Sequence, residues 1–118
     1  MKLRKTATNK ISLSLQYDYY TTLCSYISSM QMDFAHRKRM SKKINLEILI
    51  DFAIVSKLLN RLSKADYYPF KSNVRRVEKV TVLLEMEEAL LLYKYMPGLS
   101  DNPLVGFINR EMHNIIIN

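Results

Sequence analysis

From Lys10 to Leu15 the chain alternates strictly between polar and apolar positions: Lys-Ile-Ser-Leu-Ser-Leu. This is the period of a strand with one buried face. It predicts that Ile11, Leu13 and Leu15 point to a core while Lys10, Ser12 and Ser14 face the other way. The pattern changes at Asp18, a residue suited to capping a helix. Tyr19, Tyr20, Leu23, Tyr26, Ile27 and Met30 then keep the three-to-four spacing of a helical stripe. A basic stretch, His36-Arg37-Lys38-Arg39, comes after that helix. Ser41 is placed to cap a second helix running to about Leu62, with apolar positions at Ile44, Ile48, Leu49, Phe52, Val55, Leu58 and Leu59. Asp66 to Arg76, with Pro69, Lys71, Ser72 and Asn73, reads as a linker.

The same order then returns. Lys79-Val80-Thr81-Val82-Leu83-Leu84 is strand-like, with Val80, Val82 and Leu84 in the phase of Ile11, Leu13 and Leu15. Glu87 and Glu88 open a helix ending at Met96, acids in its first turn complementing the helix dipole, and Pro97-Gly98 stops it. Ser100, Asp101 and Asn102 offer caps for a last helix from Pro103 to about Ile117, proline suiting a first turn. Lys10 aligns with Lys79, Leu15 with Leu84 and Leu23 with Leu92, whereas Ser41 aligns with Ser100 and Leu49 with Ile108. The first half therefore carries about ten extra residues between its helices, and the basic cluster lies in them. The expected organisation is a basic arm (1–9), a first strand-helix-helix repeat (10–62), a linker (63–78) and a second repeat (79–118).

Composition narrows the function. The chain has 118 residues and a formal net charge of +7, a balance that suits a polyanionic partner. The excess sits in the first half, where eleven Lys and Arg face four acids; residues 64–118 carry seven of each. Cys24 is the single cysteine, so neither an internal disulfide nor a cysteine metal cluster is available, which fits a reducing, cytoplasmic setting. The basic N-terminus has no apolar segment of a signal peptide behind it. No uninterrupted apolar run has the length of a membrane span. The only glycines, Gly98 and Gly106, build no phosphate loop. His36 and His113 have no second metal ligand at a useful spacing. With no nucleophile beside a base and no paired carboxylates, the expectation is a protein without enzymatic activity, cofactor, metal or small-molecule substrate.

One strand and two helices cannot bury their apolar faces alone, but two such units pairing their strands antiparallel over four helices can. The expected fold is thus mostly α with a short two-stranded antiparallel ribbon, two tandem strand-helix-helix units forming one pseudo-twofold domain. The ribbon would present Lys10, Ser12, Ser14, Lys79, Thr81 and Leu83, and a two-stranded ribbon fits the major groove of DNA. Lys can read guanine, Ser and Thr several base edges, and Leu83 a thymine methyl group.

This arrangement, with Lys10-Ile11-Ser12-Leu13-Ser14-Leu15 as the strand and Gly98-Leu99-Ser100 as an interhelical turn, resembles the ribbon-helix-helix (MetJ/Arc/CopG-like) DNA-binding family. Two units in one chain are similar to the TraY-type conjugation proteins. The likeness implies that the second helix of each unit meets DNA phosphate at its N-terminus. Here those positions are Ser41, Lys42 and Lys43, and Ser100 and Asn102. Arg37, Lys38 and Arg39, Arg75 and Arg76, and the arm residues Lys2, Arg4 and Lys5 are further candidate phosphate contacts. Three departures from the family pattern imply unequal halves: a long first interhelical loop without glycine, Leu83 at a reading position, and Asp101 beside a phosphate site.

The reading is a sequence-specific double-stranded DNA-binding protein. By the family likeness it would be a plasmid or mobile-element accessory factor (relaxosome or partition) or a transcriptional repressor. Its partners would be DNA, further copies of itself on DNA, or a relaxase or partition protein. The competing reading is a helical interaction module, an antitoxin or adaptor, that binds an acidic partner. Pairing of the two strands into one open face separates the two. A membrane-surface role fits poorly, because the charge follows strands and loops rather than one helix face.

Overall fold

The structure, a computed structural model, describes residues 1–43, 45–98 and 102–117. Its elements in chain order are β1 (Lys2–Lys5), β2 (Ile11–Gln16), α1 (Tyr17–Met40), α2 (Leu46–Ser63), β3 (Lys79–Leu84), α3 (Met86–Tyr95), a 3-10 turn (Met96–Gly98) and α4 (Pro103–Ile117). The three strands form one antiparallel sheet in the order β1-β2-β3.

The alternation at Lys10–Leu15 and Lys79–Leu84 has the expected consequence. β2 and β3 pair from Ile11 opposite Leu84 to Gln16 opposite Lys79. Ile11, Leu13, Leu15, Val80, Val82 and Leu84 form the inner face, each buried. At roughly 1.5–3 kcal/mol per buried aliphatic side chain, these six contribute on the order of 10 kcal/mol before entropy is counted. Tyr20, Leu23, Cys24, Ile27, Met30 and Phe34 of α1, spaced three, four and seven apart, are buried in the same core. Tyr68 from the segment before β3 joins them, and the rings of Tyr20 and Tyr67 meet edge to face with centroids 5.7 Å apart.

The expected two-stranded ribbon built by two tandem units is not what the chain forms. A third strand, β1, extends the sheet. It lies within the basic arm expected at residues 1–9, and three of its four residues are cationic. An edge strand with one open face tolerates such charge, and one apolar side chain, Leu3 opposite Leu13, is enough to orient it. The turn closing the hairpin uses Asn9 at φ 61°, a left-handed conformation that Asn accepts better than most residues and that short hairpin loops require. The Thr6 hydroxyl accepts from the Lys10 N–H at 3.2 Å.

The helices also differ from expectation. The extra residues of the first half lengthen α1 to 24 residues instead of forming a loop, against 10 in α3. Arg37, Lys38 and Arg39 are the last turn of α1, where cations complement the carbonyl end of the dipole. Nor does Ser41 cap α2. Its hydroxyl turns to the Lys43 carbonyl, and Asn45 caps instead, its Oδ1 accepting from the Ile48 N–H at 3.3 Å. Starting at Leu46 keeps Lys42 and Lys43 out of the first turn and puts Glu47 into it, which the positive end of the helix favours.

The second half is better capped. The Glu85 and Glu88 side chains form a reciprocal capping box on α3. Asn102 accepts from the Leu104 N–H through Oδ1 at 2.9 Å, and Pro103 takes the first position of α4. Arg61 near the end of α2 locks this corner to the sheet. It holds both Glu88 carboxylate oxygens, at 2.8 and 2.7 Å, and donates to the Leu83 carbonyl at 3.0 Å.

Candidate nucleic-acid interface

Because β2 is central and buries its odd-numbered residues, its even-numbered ones stand on the outer side of the sheet beside their neighbours on both edges. The register sets the rows. Lys2, Ser14 and Thr81 form one, and Arg4, Ser12 and Leu83 the next, with Gln16 opposite Lys79 at one end. The strands carry four Lys or Arg and no acid. The apolar side chains with which β2 and β3 join the core, Ile11, Leu13, Leu15, Val80, Val82 and Leu84, lie on the opposite face.

The six residues expected to read bases are brought together here, but they are not equally available. The Ser14 and Thr81 hydroxyls share a hydrogen bond of 3.0 Å, flanked by Lys2 on one edge and Lys79 on the other. Lys2, Ser14, Gln16, Lys79 and Thr81, with Met1 and Leu15, line a shallow hollow of about 330 Å³. Leu83 is exposed. Ser12, between Arg4 and Leu83, retains only 9% exposure. Lys10 is drawn to the Glu85 carboxylate at 3.2 Å. Lys2, Arg4 and Lys79 have no acid partner among the described residues, so they supply the free positive charge of this face.

The sequence reading missed Gln16, which lines the hollow and carries an amide with two donors and an acceptor. The signal was present: it is the next term of the alternating series Lys10, Ser12, Ser14. It also missed Glu85, which neutralises Lys10, because that contact joins residues far apart in the chain.

The candidate phosphate contacts scatter. Lys2 and Arg4 join the open face, whereas Lys5 lies opposite Ile11, in the phase of the inner side. Arg75 and Arg76 are exposed in the segment entering β3, the Arg75 N–H donating to the Asp66 carbonyl at 3.0 Å. Asn102 is occupied as a cap. Ser100 lies outside the described residues, as do Ile44, Leu99 and Asp101.

Arg37, Lys38, Arg39, Ser41, Lys42 and Lys43 stand together at the α1–α2 turn, all exposed. They are not beside the strands. Arg61 touches β3, and the sixteen residues back to Asn45 make about 24 Å of helix.

Comparison with family models, with curated proteins and with solved structures finds no match to this chain. Among the described residues, no helix is long and apolar enough to cross a membrane.

Proposed function

We propose that this protein binds double-stranded DNA with the open face of its three-stranded sheet. The observation that carries the reading is the row Lys2, Ser14, Thr81 and its neighbour Lys79: a hydroxyl pair at the centre with a free cation on each edge. Strand spacings of about 4.8 Å place β1 and β3 about 10 Å apart. The DNA major groove is about 12 Å wide. A sheet laid along the groove brings the edge cations to the phosphate walls and turns the centre strand towards base edges.

In this mode Lys2, Arg4 and Lys79 supply affinity through phosphates, and Ser14, Thr81 and Gln16 offer donors and acceptors to bases. Leu83 is positioned for a thymine methyl group. None of these groups is aromatic, so the face lacks the stacking platforms with which proteins hold single strands. The pairing of β2 with β3 into one open face favours DNA over the helical interaction-module reading. A role at a transfer origin or partition site was implied by the tandem-ribbon likeness. Without that fold, the residues support duplex binding and no particular process.

The test is fluorescence anisotropy with duplex DNA from upstream of the protein's own gene and with a scrambled duplex, across a salt series. Each phosphate-bound cation adds about 0.9 to the slope of log K against log salt. Lys2→Ala/Lys79→Ala should therefore flatten the slope by about 1.8 and weaken both duplexes. Gln16→Ala should narrow the preference for the upstream duplex. A slope unchanged by the double substitution overturns the reading.

A further inference from the structure

The cations at the α1–α2 turn are poorly explained by folding alone. Arg37, Lys38 and Arg39 suit the carbonyl end of α1. Lys42 and Lys43 do not share that benefit, for they precede the N-terminus of α2, where positive charge is disfavoured. The acids within reach are committed elsewhere. Asp33 pairs with Arg37 at 3.1 Å. Glu47 is held by Lys94 of α3, which lowers its carboxyl below the usual range. Asp51 accepts from the Tyr95 hydroxyl and lies 3.5 Å from Lys94. Arg39, Lys42 and Lys43 have no acid partner among the described residues. A hollow of about 170 Å³ opens among Lys38, Lys42, Lys43 and Asn45. Concentrated like charge of this kind is relieved when a polyanion binds.

Position decides which polyanion. The helices pack on the buried side of the sheet, and the turn is about a helix length from Arg61, through which α2 bonds to β3. A straight duplex on the open face leaves this turn behind the sheet. We propose that the α1–α2 turn is a second, separate DNA-contact surface, so that one chain holds two duplexes at once. The inference rests on the sheet-face reading for the first duplex.

Energy transfer between a donor-labelled and an acceptor-labelled short duplex tests it, with sedimentation recording the chain's own oligomeric state. The variant is Lys42→Glu/Lys43→Glu, which places acids where the α2 dipole favours them and so preserves the fold. The wild type should bring the two duplexes together as a monomer. The variant should lose that transfer while single-duplex affinity stays within about threefold, a span the loss of weak long-range attraction covers. Transfer that survives in the variant overturns the inference, because bridging then comes from paired chains. So does a tenfold or greater loss of single-duplex affinity, because the turn then serves the same duplex as the sheet. Absence of transfer in the wild type overturns it too. Failure of the sheet reading looks different: Lys2→Ala/Lys79→Ala would leave single-duplex binding and its salt slope untouched.

Discussion

Replacing Arg61 with Ala should cost more stability than any other single change at the surface of this protein, and the structure sets the scale. The Glu88 carboxylate has a side chain only 2% exposed and depends on Arg61 for two of its bonds, at 2.8 and 2.7 Å; the third comes from the Glu85 N–H at 2.8 Å. Removing one partner of a buried pair typically costs about 3–5 kcal/mol, because the remaining charge is stranded. Arg61 itself is 42% exposed, so water reaches the vacated site and brings the cost below that range, to about 1–2 kcal/mol. Adding the lost bond to the Leu83 carbonyl, the expectation is about 2–3 kcal/mol, or roughly 10 °C in a chain of this size. Glu88→Gln strands only a half-exposed guanidinium and should cost about 1 kcal/mol. Urea denaturation followed by circular dichroism gives the midpoint and its slope for both variants and for the double. The double should cost less than the sum by about 1 kcal/mol or more, since no buried charge is left in it. An Arg61→Ala cost under about 0.5 kcal/mol, or strict additivity, would refute the argument that this pair fastens β3 to α3.

Two further outcomes follow from burial and capping. Burial pushes the Cys24 thiol up to about 11 from an ordinary value near 9, so the folded state holds a proton that the unfolded chain releases. Stability is then complete below about pH 9 and falls by about 2–3 kcal/mol as pH rises to 11. The Tyr20 hydroxyl, raised chiefly by its own burial, steepens the decline at the upper end. Urea midpoints against pH check this: Cys24→Ala should flatten the fall, and parallel curves for the two proteins would sink it. Asn45→Ala removes the side-chain cap of α2 and should cost about 1 kcal/mol. Ser41→Ala should cost less than half of that by the same denaturation, whereas equal losses would restore Ser41 as a cap.

Alternation of period two in Lys10–Leu15 and Lys79–Leu84 disclosed both the inner face and the partner strand. A buried stripe of three aliphatic residues on each strand has one economical arrangement, side by side with the equivalent stripe in antiparallel register. The stripes of α1 and α2, and the Asn102-Pro103 start of α4, were legible for the same reason: they depend on neighbours a few positions away. What escaped notice depended on distant groups. β1 holds one apolar residue among three cations, and its strand state comes from hydrogen bonding to β2. The length of α1 was hidden because Arg37-Lys38-Arg39 looks like a loop until the dipole of a continuous helix is considered.

The candidate site shows the same division at finer scale. The sequence determines which side of the sheet each candidate reader faces; it does not determine which of them is free. Ser12 and Ser14 are equivalent by pattern, yet Ser12 is nearly closed off between Arg4 and Leu83 while Ser14 meets Thr81 at the surface. Lys10 and Lys79 align as equivalents, yet Lys10 is held by Glu85 and Lys79 is not. Both differences arise from unequal surroundings: a third strand on one edge, and a capping box at one corner. The free charge is thereby gathered on Lys2, Arg4 and Lys79, and the hydroxyls on Ser14 and Thr81. On the proposed reading, duplex recognition by this face is consequently lopsided. Its strongest contacts would then fall towards the Gln16 end of β2, and a DNA site matched to it would have no reason to be a palindrome.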